Sequence, residues 1–379
     1  MAQKKILICI DWFSPGFRAG GPIKSIVNLA NTIAINFQLY IYTSDRDLGM
    51  QQPYSNIEVN TWVEYGNNIF VKYNAPTHQT KQHLIATISA LQPNTIYLNS
   101  IFSNHFSLQV LRVQKHFTNI KYVLAPRGML RQSALAFKPF KKKLFLFVAK
   151  LIGLYKHTEF HATDAIEIND IQKQIAANAI VTQVSNCPAI PIAEVKHITK
   201  ITNHINLLFI GRIHPIKNLH LVLQWVQKLE GIIVLNIVGV LEDEAYWQEC
   251  TKQINTLAAN VTVNFLNEIE PTQLVKIIEN NHLLILPTRG ENFGHAIYES
   301  LALGRPVIIS DQTPWLNLQH YNAGWDLPLS NQTEFVNALQ TVINTNQRQY
   351  NNYCNGALTL ATNFYNNSNL LQKYSELLA

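Results

Sequence analysis

Short unbroken apolar runs alternate along this chain with stretches in which apolar residues recur every three or four positions. Residues 5–10, Lys-Ile-Leu-Ile-Cys-Ile, form a run of strand length, as a parallel strand covered on both faces requires. A loop over 11–22 follows, containing Gly16, Gly20, Gly21 and Pro22. Beyond it Ile23, Ile26, Val27, Ala30, Ile33 and Ala34 recur at helical spacing. Strand, glycine-rich loop and helix in that order suit a phosphate- or nucleotide-binding start. Further strand-length runs lie at 38–43, 95–98 and 121–125, and 162–177 reads as a small strand and a helix.

The texture changes at Pro188. Two prolines in Cys187-Pro-Ala-Ile-Pro-Ile192 lead into an irregular polar stretch, read as a linker ending near Asn206. A second alternating series then predicts strands at 206–210, 234–238, 261–265, 282–286 and 306–309, the last closing the set. Helices are expected at 219–229, 244–257, 271–279 and 294–303, with a terminal helix at 366–378. The predicted fold class is α/β, with two Rossmann-like doubly wound domains facing across a cleft. The expected boundaries are 1–190 and 204–365, followed by a C-terminal helix at 366–379.

Composition narrows the class. Of 379 residues, 47% are hydrophobic and 14% charged, which is enough apolar material for two cores and too little charge for disorder. Cys9, Cys187, Cys250 and Cys354 lie far apart with no CxxC pair, so four buried thiols are expected rather than a zinc site or disulfides. The apolar run at 6–10 is stopped by Asp11, too soon for a signal peptide, and no run approaches the roughly 20 residues of a membrane span. A cytoplasmic protein, soluble or attached to a surface, is expected.

The candidate chemistry lies in two strand-to-helix loops of the second half, where ligands bind in open α/β sheets. In Gly211-Arg-Ile-His-Pro-Ile-Lys217 the glycine permits a tight turn, and Arg212 and Lys217 carry fixed positive charge of the kind a diphosphate leaving group needs. In Glu291-Asn-Phe-Gly294 the chain turns into a helix whose first N–H groups, from Asn292 to His295, are aimed at an anion. Glu299 lies about a turn and a half further on among Ala296, Ile297, Leu301 and Ala302, so its carboxylate sits at the edge of a buried face.

Glu291 and Glu299 with seven residues between them, Gly211-Arg212 with Lys217, and Gly304-Arg-Pro-Val-Ile308 together resemble glycosyltransferase family 4, whose members are retaining enzymes of the GT-B fold. Gly20-Gly21-Pro22 is similar to the family's N-terminal glycine loop. Ala125-Pro-Arg-Gly-Met-Leu130, His161-Ala-Thr163, Glu167, Thr313-Pro-Trp315 and Gly324-Trp325 resemble a bacterial subgroup that builds surface polysaccharides such as capsule, O-antigen or exopolysaccharide. The resemblance implies that Arg212 and Lys217 hold the diphosphate, Glu291 faces the transferred sugar, and Glu299 takes the ribose hydroxyls. It further implies that Asn292, Phe293 and Gly294 supply N–H groups and that Gly20 and Gly21 admit the donor closely. No metal or cofactor is implied, the substrate being a nucleotide-diphosphate sugar. Two positions depart from the subgroup. Arg127 stands where a His is usual, as an acceptor or sugar contact that cannot titrate near neutral pH. Cys187 follows Asn186 where Gly is usual, and is expected to adopt a backbone conformation that Gly takes easily.

Charge is concentrated in the first half. The formal charge is +6, yet residues 121–160 hold nine basic residues against one acidic, Glu159. Over 138–156 lysines interleave with Phe140, Leu144, Phe145, Phe147, Leu151 and Ile152. That pattern suits a helix lying on an anionic membrane surface, the alternative being a core helix whose lysines face solvent. No nucleic-acid-binding motif accompanies it. The expected partners are a nucleotide-sugar donor and a glycan or lipid-linked acceptor, at the inner face of the plasma membrane. A sugar-nucleotide epimerase of the same fold and a non-catalytic nucleotide-sugar-binding subunit are the alternatives.

Overall fold

Two α/β units make up the computed structural model, which describes residues 3–136 and 139–379: Met1–Cys187 with Asn369–Ala379, and Pro188–Ser368. The first unit contains strands β1 (Lys4–Cys9), β2 (Phe37–Ser44), β3 (Trp62–Gly66), β4 (Ile69–Asn74), β5 (Thr95–Asn99), β6 (Lys121–Ala125), β7 (Glu159–Ala162) and β8 (Val181–Gln183). They form one sheet in the order β3-β4-β2-β1-β5-β6-β7-β8, parallel except for the β3–β4 hairpin. Its helices are α1 (Gly21–Ile33), α2 (Lys81–Leu91), α3 (Gln109–Val113), α4 (Gln132–Leu135), α5 (Pro139–Leu151) and α6 (Ala165–Gln174).

The unbroken apolar run of β1 is explained by its two faces. Ile6 and Ile8 point into one core with Ile26, Leu29 and Ile33 of α1, while Leu7 and Cys9 point into a second core with Leu84 and Ile88 of α2. Side chains alternate along a strand, so a strand covered on both sides needs apolar residues at every position.

The second unit contains β9 (His204–Ile210), β10 (Ile232–Val238), β11 (Val261–Phe265), β12 (Leu283–Leu286), β13 (Val307–Ser310) and β14 (Gly324–Leu327). Their order is β11-β10-β9-β12-β13-β14, all parallel. The helices are α7 (Leu219–Val226), α8 (Glu244–Ile254), α9 (Pro271–Glu279), α10 (His295–Ala302), α11 (Gln332–Asn344) and α12 (Gln347–Asn367). The last helix, α13 (Leu370–Leu378), belongs to the first unit, where Leu370, Tyr374, Leu377 and Leu378 enter the α1-side core.

Several features differ from the sequence reading. The strand at β13 does not close the second sheet, because β14 pairs with its outer edge. The β14 segment has four residues, and its first, Gly324, has a φ of 136° and lies so close to β13 that a Cβ would sit 1.8 Å from the Val307 carbonyl oxygen. The expected linker is not a free tether. Residues 188–203 form a strap on the second unit: Ile192 N–H donates to the Ala302 carbonyl at 3.2 Å, and buried Lys200 donates to the carbonyls of Ile343 and Thr345 at 2.9 and 3.2 Å. Arg305, buried, donates to Lys196 and Glu279 carbonyls at 2.7 and 2.8 Å, which ties the strap to the body. Cys187 keeps a negative φ, so it bears no glycine-like conformation. Arg127 does have a positive φ, at 57°.

Candidate active site

In each sheet the strand order reverses beside the first strand of the unit, and the loops leaving that point are where a ligand is reached from two sides. In the second sheet the reversal lies between β9 and β12. The loop after β9 runs through Gly211 and Arg212 to a short 3-10 turn, Pro215–Lys217. The loop after β12 carries Glu291 to Gly294 and opens α10.

These two loops are tied together. The Lys217 ammonium donates to Glu291 Oε1, and the two side chains are only 14% and 15% exposed. Asn218 sits in the left-handed region at φ 56° and donates from Nδ2 to the Pro287 carbonyl at 2.7 Å. Arg289 N–H donates to the Ile216 carbonyl at 2.8 Å, and Ser310 Oγ donates to the Thr288 carbonyl at 2.5 Å. A cation and a carboxylate are thereby held side by side on a backbone braced from three directions. Such preorganisation lowers the reorganisation cost of meeting a charged ligand.

Close backbone approach shapes the same loop. Gly211 donates its N–H to the Val238 carbonyl at 3.0 Å, and a Cβ on Gly239 would lie 1.9 Å from the Gly211 carbonyl oxygen. Only glycine fits at 239, which the sequence reading did not single out. Arg212 pairs with Glu242 at 2.5 Å, both half-exposed. An exposed pair of this kind is worth at most about 1 kcal/mol, so Arg212 is released at little cost.

Gly294 is the N-cap of α10 at φ 78° and offers no side-chain cap. Phe293 anchors the turn from beneath. It is buried against Trp315 and Tyr298, and the Trp315 indole donates to its carbonyl at 2.6 Å. Glu299 lies half-buried on α10, as its apolar neighbours require. Among the described residues no group of three or more His, Cys, Asp or Glu side chains is arranged to hold a metal ion.

In the first unit the reversal lies between β1 and β5, above which the 11–20 loop rises. Asp47 holds that loop, its Oδ2 accepting from the N–H groups of Phe17 and Arg18 at 2.8 and 3.1 Å. Gly20 ends it at φ 65° as the N-cap of α1, with open space where a side chain would stand, and Gly21 is the first residue of that helix. Asp11 accepts from Ser103 Oγ at 2.8 Å, and burial raises its carboxyl above the usual range.

Arg127 is turned inward. Its guanidinium donates to Asn99 Oδ1 at 3.1 Å, to the Tyr97 hydroxyl at 2.9 Å, and to Asn186 Oδ1. Tyr97 in turn donates to His161 Nδ1 at 2.6 Å, and His161 Nε2 donates to the Val184 carbonyl at 2.7 Å. Glu167 fixes the neighbouring turn by accepting from Gly128 N–H at 2.6 Å and from both Thr163 donors at 2.8 Å. The sequence pointed to Arg127, His161, Thr163, Glu167 and, beside Cys187, Asn186, but Tyr97 and Asn99 complete the network and carry no motif. Long sequence separations hide such partners.

Residues 193–357 match the family model described as "Glycosyl transferases group 1". The chain is 26% identical over 138 residues to D-rhamnosyltransferase WbpZ of Pseudomonas aeruginosa; the match covers 35% of this chain and about a third, 34%, of that relative's length. Among solved structures it is similar to Anabaena HepE in complex with UDP and glucose, with a TM-score of 0.70 at 15% identity and 99% of each chain covered. It is also similar to WaaG, a glycosyltransferase involved in lipopolysaccharide biosynthesis, with a TM-score of 0.63 at 13% identity and 99% of each chain covered. Residues 193–357, nearly all of the second unit, thus match glycosyl transferases group 1, and the chain has the fold of GT-B glycosyltransferases.

Proposed function

We propose that this protein is a retaining glycosyltransferase of family 4 that moves a sugar from a nucleotide-diphosphate donor to a glycan or lipid-linked acceptor in surface-polysaccharide assembly. The observation that carries the reading is the Lys217–Glu291 pair, a shielded cation and carboxylate at the reversal point of the second sheet. The diphosphate leaving group gains one negative charge as the glycosidic bond breaks, and Lys217 with Arg212 neutralises it. The N–H groups of Asn292, Phe293 and Gly294 at the start of α10 add to that stabilisation.

In this reading Glu291 accepts hydrogen bonds from the transferred sugar and places its anomeric carbon, while Glu299 takes the ribose hydroxyls. Gly211 keeps the turn small, and Gly20 and Gly21 leave open backbone for the diphosphate. The acceptor hydroxyl attacks from the face the diphosphate leaves; a phosphate oxygen takes its proton, and configuration is retained with no protein nucleophile. Fixed protein cations meet the leaving-group charge, so no divalent metal is required. Arg127 shapes the acceptor-side turn through the residues it holds. WbpZ, a rhamnosyltransferase, and WaaG, of lipopolysaccharide biosynthesis, support the surface-glycan role by their similarity. An acceptor carried on lipid would bring the protein to the inner membrane face.

The test is transfer of label from a sugar-labelled donor to saccharide and lipid-linked acceptors. Wild-type protein is expected to label an acceptor with retained configuration, and Lys217→Ala and Glu291→Ala to lose at least 100-fold in turnover while keeping their far-UV circular dichroism. Near-normal turnover in either variant refutes the site. Release of an altered free sugar without acceptor would mark an epimerase, and donor binding without turnover a binding subunit.

A further inference from the structure

We propose that α5 docks the first unit onto an anionic lipid bilayer, lying in the plane of the interface with one apolar stripe immersed. This goes beyond the transferase reading and stands on α5 alone. Phe137 and Lys138, at the start of the basic stretch, lie outside the described residues, so the surface is built from 139 onward.

The helix has two unlike faces. Leu146 and Ala149 are buried in the unit, and Phe145 packs edge-on against Phe102 at 5.6 Å. Lys142 belongs to this inner side, donating to the Ala134 carbonyl at 2.7 Å and standing 5.6 Å over the Phe102 ring. The opposite side exposes Phe140, Leu144, Phe147, Val148 and Leu151, continued by Ile152 just past the helix end. Phe140 is 79%, Phe147 65% and Leu151 76% exposed.

At 100° per residue the five positions inside the helix fall within one stripe about 100° wide, about 16 Å long at 1.5 Å per residue. That is too short to cross the roughly 30 Å hydrocarbon layer, but it is the shape of an interfacial helix. Lys141 lies on one flank of the stripe, and Lys143 and Lys150 on the other, all exposed. Long lysine stems can follow the apolar surface while their ammonium groups stay at headgroup level. Residues 139–156 contain five lysines and no acidic residue. Positive charge on both flanks of an apolar stripe matches a negatively charged lipid surface, where each cation adds about 1 kcal/mol. Exposed side chains this large and this many on a single helix are not ordinary surface.

Cosedimentation with phosphatidylcholine vesicles, with and without phosphatidylglycerol, tests the proposal. Wild-type protein is expected to bind the anionic vesicles and to be weakened by salt. The Phe147→Asp/Leu151→Asp variant is expected to lose at least tenfold in vesicle affinity, and Lys143→Glu/Lys150→Glu to lose the preference for anionic lipid. Phe147→Trp is expected to keep binding and to show a blue-shifted emission on vesicles, which a merely structural helix would not show. Both charge variants lie outside the donor loops, so donor-induced stabilisation in them checks folding and separates failure of docking from failure of the transferase reading. No vesicle binding by the wild type overturns the proposal, as does undiminished binding by Phe147→Asp/Leu151→Asp. A wild-type dimer in sedimentation velocity that the same variant dissociates also overturns it, since a second copy would then cover the stripe.

Discussion

A single backbone torsion at Arg127 organises much of the first unit's polar interior. With φ at 57° its side chain turns back under the sheet ends, where Asn99, Asn186 and Tyr97 accept from it. The guanidinium is a permanent charge, and it bears on His161, the partner of Tyr97. Burial first, then the Arg127 charge, lowers the His161 imidazole to about 3; in the second unit burial lowers His282 to about 4. Both are neutral when folded, whereas an unfolded histidine takes up its proton near pH 6.5. Below that pH the unfolded chain binds more protons, so stability is full above pH 6.5 and is lost as pH falls towards the folded values. Between pH 7 and pH 5 each histidine is expected to cost on the order of 2 kcal/mol. Urea midpoints at the two pH values measure it, and His161→Gln should remove its share of the slope. A pH-independent midpoint would contradict the buried neutral assignment.

At the scale of elements, legibility in the sequence follows the source of each element's stability. The central strands and α1 were readable because burial on both faces, or on one stripe, forces an apolar pattern. Helix α12 was not, because it is rich in Asn and its buried stripe is narrow and ends in small residues: Tyr350, Cys354, Ala357 and Ala361. Its start is fixed by a capping box in which Asn346 Oδ1 accepts from Gln349 N–H and Gln349 Oε1 from Asn346 N–H, both at 3.0 Å. Strand β14 gives no such signal because Gly-Trp-Asp-Leu is broken by a glycine and an aspartate, whereas the equally short β12 and β13 carry unbroken apolar runs. The site itself divides the same way. Lys217, Glu291 and Gly294 were visible as strand-end residues, whereas Gly239 and Asn218 act through backbone proximity that only folding creates. The terminal helix was predicted, but not that it would complete the first unit. Leu370, Tyr374, Leu377 and Leu378 are buried there, and Tyr374 packs edge-on to His161 at 5.4 Å. Four such side chains represent roughly 6–10 kcal/mol of burial. Deleting Asn369–Ala379 is therefore expected to unfold the first unit, read as lost amide protection there, with the second unit's protection retained. Unchanged protection of β1 and α1 would contradict this.

For the whole molecule, charge and topology point to separate tasks. Residues 121–160 hold a net positive charge of eight, more than the +6 of the entire chain, so the remainder is slightly acidic. The surplus is therefore local, and within it the exposed lysines flank the apolar stripe of α5. The cations of the second unit are fewer and are placed by fold rather than by number: Lys217 is shielded at the sheet reversal, with Arg212 held loosely nearby. The central claim is that this shielded pair receives a nucleotide-diphosphate sugar, and thermal unfolding with a panel of UDP-, GDP- and dTDP-sugars tests it most directly. One donor, at about 100 times its dissociation constant, is expected to stabilise the wild type by about 2.7 kcal/mol, a rise of roughly 5–10 °C, and to leave Lys217→Ala almost unmoved. If no member of the panel raises the midpoint, or Lys217→Ala is stabilised as much as the wild type, the account of this site is wrong.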